Sequence, residues 1–144
     1  MKKLTGVLLM TMAVTMLSSV SVMAGNVNTT FTFTTNGQKI SSSGAGQKSD
    51  DGDTYAYVTT LAQSSTGTKS TLFSNGGKLH ARTRLDTNRE GVYSPLFTFT
   101  SNQAQKKQYG TGMAKYGKYY ILRCETESAD YSGGRLVQAT RWCP

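Results

Sequence analysis

KLHARTRL, residues Lys78–Leu85, is the stretch that decides the fold class of this 144-residue chain. Positions 79, 81, 83 and 85 are apolar or small, and the polar residues His80, Arg82 and Arg84 fall between them. Strict alternation of this kind is typical of a half-buried β-strand, because successive side chains of a strand point to opposite faces. The sequence therefore predicts a strand with a basic outer face here.

Similar strand-like runs recur about every 10 to 15 residues, with turn residues between them. They are rich in Thr, Tyr and Val, and residues that favour helices are scarce. The predicted strands are Asn28–Thr35, Thr54–Leu61, Lys69–Ser74, Lys78–Leu85, Val92–Thr100, Tyr116–Cys124 and Arg135–Cys143. Polar loops are expected over 38–53 and 103–107, and Pro95 indicates an edge strand or a bulge. About seven short strands without a helix predict an all-β fold, either a small antiparallel β-sandwich or a small β-barrel.

The first 24 residues have the pattern of a secretory signal peptide. Lys2 and Lys3 supply the positive region, an apolar stretch follows to about Val20, and the small residue Ala24 precedes Gly25. We therefore expect a leader over 1–24 and a single secreted, extracellular domain over 25–144. No second apolar stretch is long enough to cross a membrane.

The formal net charge of the chain is +8, and it is +6 without Lys2 and Lys3. A positive balance favours anionic partners, such as anionic cell-surface or cell-wall polymers. Nucleic acid suits the charge but not the extracellular compartment, so it is not expected as a partner. A basic balance that only keeps the protein soluble is the alternative explanation. The sequence leaves the oligomeric state open.

Two cysteines, Cys124 and Cys143, lie near the end of the chain. An even number of cysteines in an exported protein suggests one disulfide bond, with a free pair as the alternative. We expect the last strand to pair with the strand that carries Cys124, which would bring the two sulfurs within bridging distance. Closing a loop of about 20 residues would stabilise the fold by roughly 3 kcal/mol.

The chain offers little for catalysis or metal binding. His80 is the only histidine, and it lies on a strand beside Arg82 and Arg84. Asp50, Asp51 and Asp53 could together hold Ca²⁺, but their order is not that of a known calcium loop, and a solvated turn is the other interpretation. We therefore expect a protein that is not an enzyme and that uses no metal or cofactor.

Tyrosines and lysines are interleaved in the segment from Lys106 to Arg123. Aromatic rings offer flat stacking surfaces and neighbouring cations attract anionic groups, so the combination suits an anionic polymer. The alternative is that these tyrosines are strand residues that pack in the core. The predicted binding residues are Lys106, Lys107, Tyr109, Lys115, Tyr116, Lys118 and Tyr119.

The closing motifs Tyr-Ser-Gly-Gly (131–134) and Arg-Trp-Cys-Pro (141–144), with the leader and the Thr- and Tyr-rich body, resemble small exported all-β proteins of Gram-positive bacteria. In size and style the chain resembles lactococcin-972-like bacteriocins, although it is longer and carries a cysteine pair. That resemblance implies a toxin acting on a competitor's envelope, as the alternative to a secreted protein that binds an anionic polymer. A growth-inhibition assay separates the two.

Overall fold

The computed structural model describes residues 25–49, 52–62, 72–73, 76–87, 91–132 and 134–144. The predicted leader over 1–24, and Asp50 and Asp51 of the acidic cluster, lie outside these residues. So does most of the strand predicted over Lys69–Ser74, of which only Leu72 and Phe73 are described, in a turn. The described part of the chain contains no helix long and apolar enough to cross a membrane.

The described residues form eight strands in two four-stranded antiparallel sheets and no α-helix. The strands are β1 (Val27–Phe33), β2 (Ile40–Gln47), β3 (Tyr55–Leu61), β4 (Lys78–Leu85), β5 (Phe97–Phe99), β6 (Ala104–Gln108), β7 (Tyr119–Glu127) and β8 (Leu136–Cys143). Sheet A has the order β1-β8-β3-β6, and sheet B has the order β2-β7-β4-β5. Since each sheet keeps two edge strands, a sandwich-like all-β fold is confirmed and the closed-barrel alternative is wrong.

The strand order follows a simple rule, in which the chain pairs with itself as one long hairpin. β1 pairs with β8, β2 with β7, β3 with β6 and β4 with β5, all antiparallel. These pairs alternate between the two sheets: β1–β8 and β3–β6 lie in sheet A, and β2–β7 and β4–β5 lie in sheet B. This is the topology of an eight-stranded jelly roll. β5 is an edge strand of sheet B, in agreement with the edge position that Pro95 indicates.

Two of the eight strands lie where the sequence predicts polar loops. β2 (ISSSGAGQ) falls within 38–53, and β6 (AQKKQ) covers most of 103–107. β2 needs a glycine at position 46, because a Cβ there would come within 3.0 Å of Pro144 and 3.1 Å of Val27. β6 is one of the two edge strands of sheet A, so polar residues are tolerated along it.

The predicted disulfide is not found. Cys124 lies in β7 of sheet B and Cys143 in β8 of sheet A, because β8 pairs with β1 and β3 and not with β7. Stacked sheets lie about 10 Å apart, whereas a disulfide needs Cα atoms about 4.4–6.8 Å apart. Both thiols are buried, and burial raises the pKa of Cys124 well above its ordinary value, which keeps the thiol protonated and unreactive.

The core is filled by inward-facing aromatic and aliphatic side chains of both sheets. Phe31 and Phe33 of β1 and Phe97 and Phe99 of β5 are fully buried, as are Leu122 and Trp142. Burying side chains of this size contributes roughly 1.5–3 kcal/mol each. Their outward-facing neighbours on the same strands remain available to contact other molecules.

A buried lysine connects the β2–β3 loop to the last strand. Lys48 is 1% exposed, and its Nζ donates to the carbonyl oxygens of Pro144 at 2.8 Å and Tyr55 at 3.0 Å. Asp53 Oδ2 lies 3.9 Å from the same ammonium, and Asp53 Oδ1 accepts a hydrogen bond from the Tyr55 N–H at 2.9 Å. Asp53, the one described residue of the acidic cluster, therefore forms an ion pair with Lys48.

Candidate functional site

The two predicted binding lysines of β6 lie on opposite sides of the strand. Lys106 extends over the outer face of sheet A, with its Nζ 5.1 Å from the centroid of the Tyr55 ring. Lys107 extends the other way, and its Nζ donates to the Leu96 carbonyl oxygen at 2.8 Å. The two side chains therefore do not form a single cationic site.

Four other predicted residues lie together where the β6–β7 connection leads into β7. Lys115, Tyr116, Lys118 and Tyr119 are all exposed there, Tyr116 by 60% and Tyr119 by 54%. The backbone of this connection is anchored, since Gly117 N–H donates to the Lys48 carbonyl oxygen at 2.7 Å. We call residues 115–119 the tyrosine loop.

Tyr109, the remaining predicted residue, is part of the core. It is 6% exposed, and its hydroxyl shares a 2.6 Å hydrogen bond with Thr83 Oγ1. Burial raises the pKa of the Tyr109 phenol far above its ordinary value. Its ring therefore packs inside the protein, as the alternative interpretation of the tyrosines expects.

The structure also forms a groove on the outer face of sheet B, which we call the basic groove. It has a volume of about 340 Å³ and runs over β4 and β7. The even-numbered residues of β4 and the odd-numbered residues of β7 point outward, and His80, Arg82, Arg84, Arg123 and Glu125 line the groove. Its cationic lining residues are Lys39, Arg82, Arg84 and Arg123.

At the centre of the basic groove two arginines face each other across neighbouring strands. Arg82 of β4 is the register partner of Arg123 of β7. Directly opposed residues have Cβ atoms about 4.5–5.5 Å apart, and like charges at this position destabilise a sheet. Neither arginine forms an ion pair with a carboxylate of the described residues. An anion held between them would relieve the repulsion.

Tyr93 holds Arg82 in place. The Arg82 guanidinium lies 4.5 Å from the centroid of the Tyr93 ring, within cation–π distance. Tyr93 is fixed beside β4 by a bridge with Arg84, and the Ser94 N–H donates to the Thr83 carbonyl oxygen at 2.9 Å. Arg82 Nε is buried and makes no hydrogen bond to any described residue, so the guanidinium is oriented more by stacking than by a protein acceptor.

His80 is held between two partners at the border of the basic groove. Its Nε2 lies 2.8 Å from Glu127 Oε2, and its Nδ1 lies 3.1 Å from Thr98 Oγ1. Lys78 Nζ also donates to Glu127 at 2.8 Å, and the hydrogen bonds from Lys78 and then His80 lower the pKa of Glu127.

The order hydroxyl, imidazole, carboxylate is that of a hydrolase triad. However, Lys78 already neutralises the carboxylate that would have to stabilise an imidazolium. We therefore interpret His80 as part of the groove wall.

Among the described residues that line the basic groove, Glu125 is the single carboxylate. It lies two residues after Arg123 on β7 and opposite His80 on β4, and it is half-buried. Among the described residues no cation lies within ion-pair distance of it. An adjoining cavity of about 590 Å³ continues past Glu125 towards Glu127 and Asn36.

The basic groove is only partly visible in the sequence. The alternation in 78–85 predicts the outward position of Arg82 and Arg84, and Arg123 falls in a predicted strand. The missing information is that β4 lies next to β7, which places Arg82 opposite Arg123. Tyr93 gives no signal either, since its position depends on a bridge from outside the regular strands.

Comparison with other proteins adds no functional information: no protein family, curated protein or solved structure matches this chain. The resemblance to lactococcin-972-like bacteriocins is therefore neither supported nor contradicted.

Proposed function

We propose that this protein binds an anionic polymer without transforming it, and that the basic groove is the binding site. The observation that carries the proposal is the opposition of Arg82 and Arg123, which no described carboxylate neutralises. A sheet gains nothing from such a pair by itself. The pair becomes favourable when a carboxylate, sulfate or phosphate accepts hydrogen bonds from both guanidinium groups.

The shape of the basic groove also suits a polymer. Its volume of about 340 Å³ is at the lower end of the range for ligand pockets, and it is partly open to solvent. Tyr93 and Leu96, which line it, are 37% and 40% exposed. They offer apolar surface beside the cationic centre, which suits a ligand with both anionic and apolar parts.

The tyrosine loop lies on the path of an extended ligand. Tyr119 and Arg123 are four residues apart on β7 and face the same side of sheet B, so they are separated by about 13 Å along the strand. A polymer lying along β7 would contact the exposed ring of Tyr119 after leaving the basic groove. The proposal thereby joins the predicted tyrosine segment to the site that the fold creates, on a protein expected to be exported.

Binding of purified protein to soluble anionic and neutral polymers tests the proposal. Arg123→Gln should lower the affinity for the anionic polymer at least about tenfold, because a hydrogen bond between charged groups contributes about 1.5–3 kcal/mol. The matched control is Arg141→Gln, which removes the same charge from an exposed position on β8 of sheet A. Binding should also weaken in 1 M salt. Equal affinity of the two variants would contradict the proposal.

A further inference from the structure

We infer that the occupant of the basic groove is an acidic glycan, a polymer whose sugar rings carry anionic groups. The inference rests on the proposed function and adds the class of ligand. In this arrangement the anionic group lies between Arg82 and Arg123, a ring hydroxyl donates to Glu125, and the apolar face of the ring packs on Tyr93. Each of the three contacts has its own support in the structure.

Glu125 is the residue that a site for polyanions alone would not contain. Its carboxylate lies in a groove lined by four cationic residues, where it repels any anion. An ionised carboxylate can only accept hydrogen bonds, and no cation of the described residues lies within ion-pair distance of it. Hydroxyl groups are the donors that sugars supply, and ionised polyphosphate has no donor to place there.

The spacing of the two contacts fits one sugar unit. Residues two apart on a strand lie on the same face, about 7 Å from each other. Arg123 and Glu125 have this relation on β7, and their partners Arg82 and His80 have it on β4. The positions that bind the anionic group and the hydroxyl group are thus about 7 Å apart along the strands. This distance is comparable to the width of a sugar ring with its substituents.

The wall of the basic groove provides the third contact. Tyr93 stays 37% exposed although Arg82 stacks on its ring, and Leu96 is 40% exposed nearby. The C–H groups of a sugar ring can pack on such surface, whereas polyphosphate has no apolar face to place there. The ligand is therefore expected to combine charge, hydroxyl donors and an apolar face in each repeat.

The test measures the affinity of wild-type protein and variants for four polymers: polygalacturonate, heparin, polyphosphate and neutral dextran. Glu125→Ala should weaken binding of the preferred acidic glycan about tenfold, since the loss of a hydrogen bond to a charged acceptor outweighs the gain of about threefold from removing the repulsive charge. The same change should strengthen binding of polyphosphate by about threefold, because a repulsive charge about 7 Å away is removed. The control Asp130→Asn removes one negative charge at an exposed position outside the basic groove and should change neither affinity more than about twofold.

A second variant tests the inference even if Glu125→Ala does not fold. Tyr93→Leu retains apolar bulk under Arg82 and should weaken the glycan more than polyphosphate, because both ligands lose the stacking that orients Arg82 and only the glycan also loses the ring face on which it packs. The glycan arms separate the two sources of charge, with polygalacturonate reporting carboxylates and heparin reporting mainly sulfates. If Glu125→Ala strengthens glycan and polyphosphate alike, or polyphosphate binds the wild type as tightly as the glycans, the inference is overturned and the proposed function stands. If no polyanion binds, the proposed function itself fails.

Discussion

Replacing Arg123 by Gln should make the folded protein more stable while it impairs binding. Arg123 faces Arg82 across β7 and β4, and no described carboxylate pairs with either. Gln keeps much of the aliphatic stem and a polar end, so that the main change is the loss of one of two opposed charges. A residue kept for ligand binding at the expense of stability is expected to behave in this way.

The size of the effect follows from the cross-strand geometry. If the charge separation is taken as about 6 Å, slightly more than the Cβ spacing of directly opposed residues, the repulsion is about 0.7 kcal/mol in water and about 2.8 kcal/mol at an effective dielectric constant of 20. Both side chains are half-buried, and flexible stems let the charges separate, so a gain of about 1 kcal/mol is expected. This corresponds to an increase of about 0.5 M in the urea midpoint.

Urea unfolding of three proteins, followed by circular dichroism, measures the effect. Arg141→Gln is the reference for the intrinsic consequence of the substitution, because Arg141 lies opposite Asn28 and Thr59 and has no cationic partner in the register. The difference between the variants should shrink in 1 M NaCl, where the Debye length is about 3 Å. If Arg123→Gln is no more stable than Arg141→Gln in dilute buffer, the two arginines do not repel each other and the central argument for the site is refuted.

Two further predictions concern the core. Tyr109→Phe should cost about 1–3 kcal/mol, since it leaves the buried Thr83 hydroxyl without its 2.6 Å partner; thermal unfolding measures this. Because the pKa of Tyr109 is raised in the folded state, its contribution is complete below about pH 10, where the unfolded phenol ionises, and is lost as the pH rises above it. The wild type should therefore lose stability more steeply than Tyr109→Phe in that range, and parallel curves would contradict the assignment. Dithiothreitol should leave the melting temperature unchanged, because Cys124 and Cys143 lie in different sheets; thiol titration of denatured protein should detect both, and a single crosslinked pair would show that the sheet assignment is wrong.

The sequence predicts those strands whose burial alternates, because alternation is a local property. β4 has the predicted bounds of Lys78–Leu85, and β3 and β8 differ from prediction by one residue at one end. β6 gives no such signal, since its sequence AQKKQ is polar throughout and it lies at a sheet edge. β2 gives a misleading one, because its serines and glycines suggest a loop while Gly46 serves a close approach to Pro144.

Strand pairing is the part that local patterns do not contain. The most natural partner for the last strand is the strand just before it in sequence, and that assumption predicts a disulfide. In the jelly roll β8 instead returns to β1, and β7 inserts between β2 and β4. The same long-range pairing places Arg82 beside Arg123, so the error about the cysteines and the failure to foresee the basic groove have one cause.

The contrast between the two outer faces supports placing function on sheet B. An antiparallel sheet packed on one side leaves the other in water, where selection can act on it without disturbing the core. On sheet A the outward residues of β1 are Asn28, Thr30 and Thr32, which are small and uncharged. On sheet B the corresponding positions of β4 are occupied by Lys78, His80, Arg82 and Arg84. Sheet A also has outward cations, Lys106 and Arg141, but these two are not opposed across neighbouring strands, and solubility alone would not require the opposition of Arg82 and Arg123 on sheet B. The distribution is explained if that face meets an anionic ligand, and Arg123→Gln measured for both stability and binding distinguishes this explanation from chance.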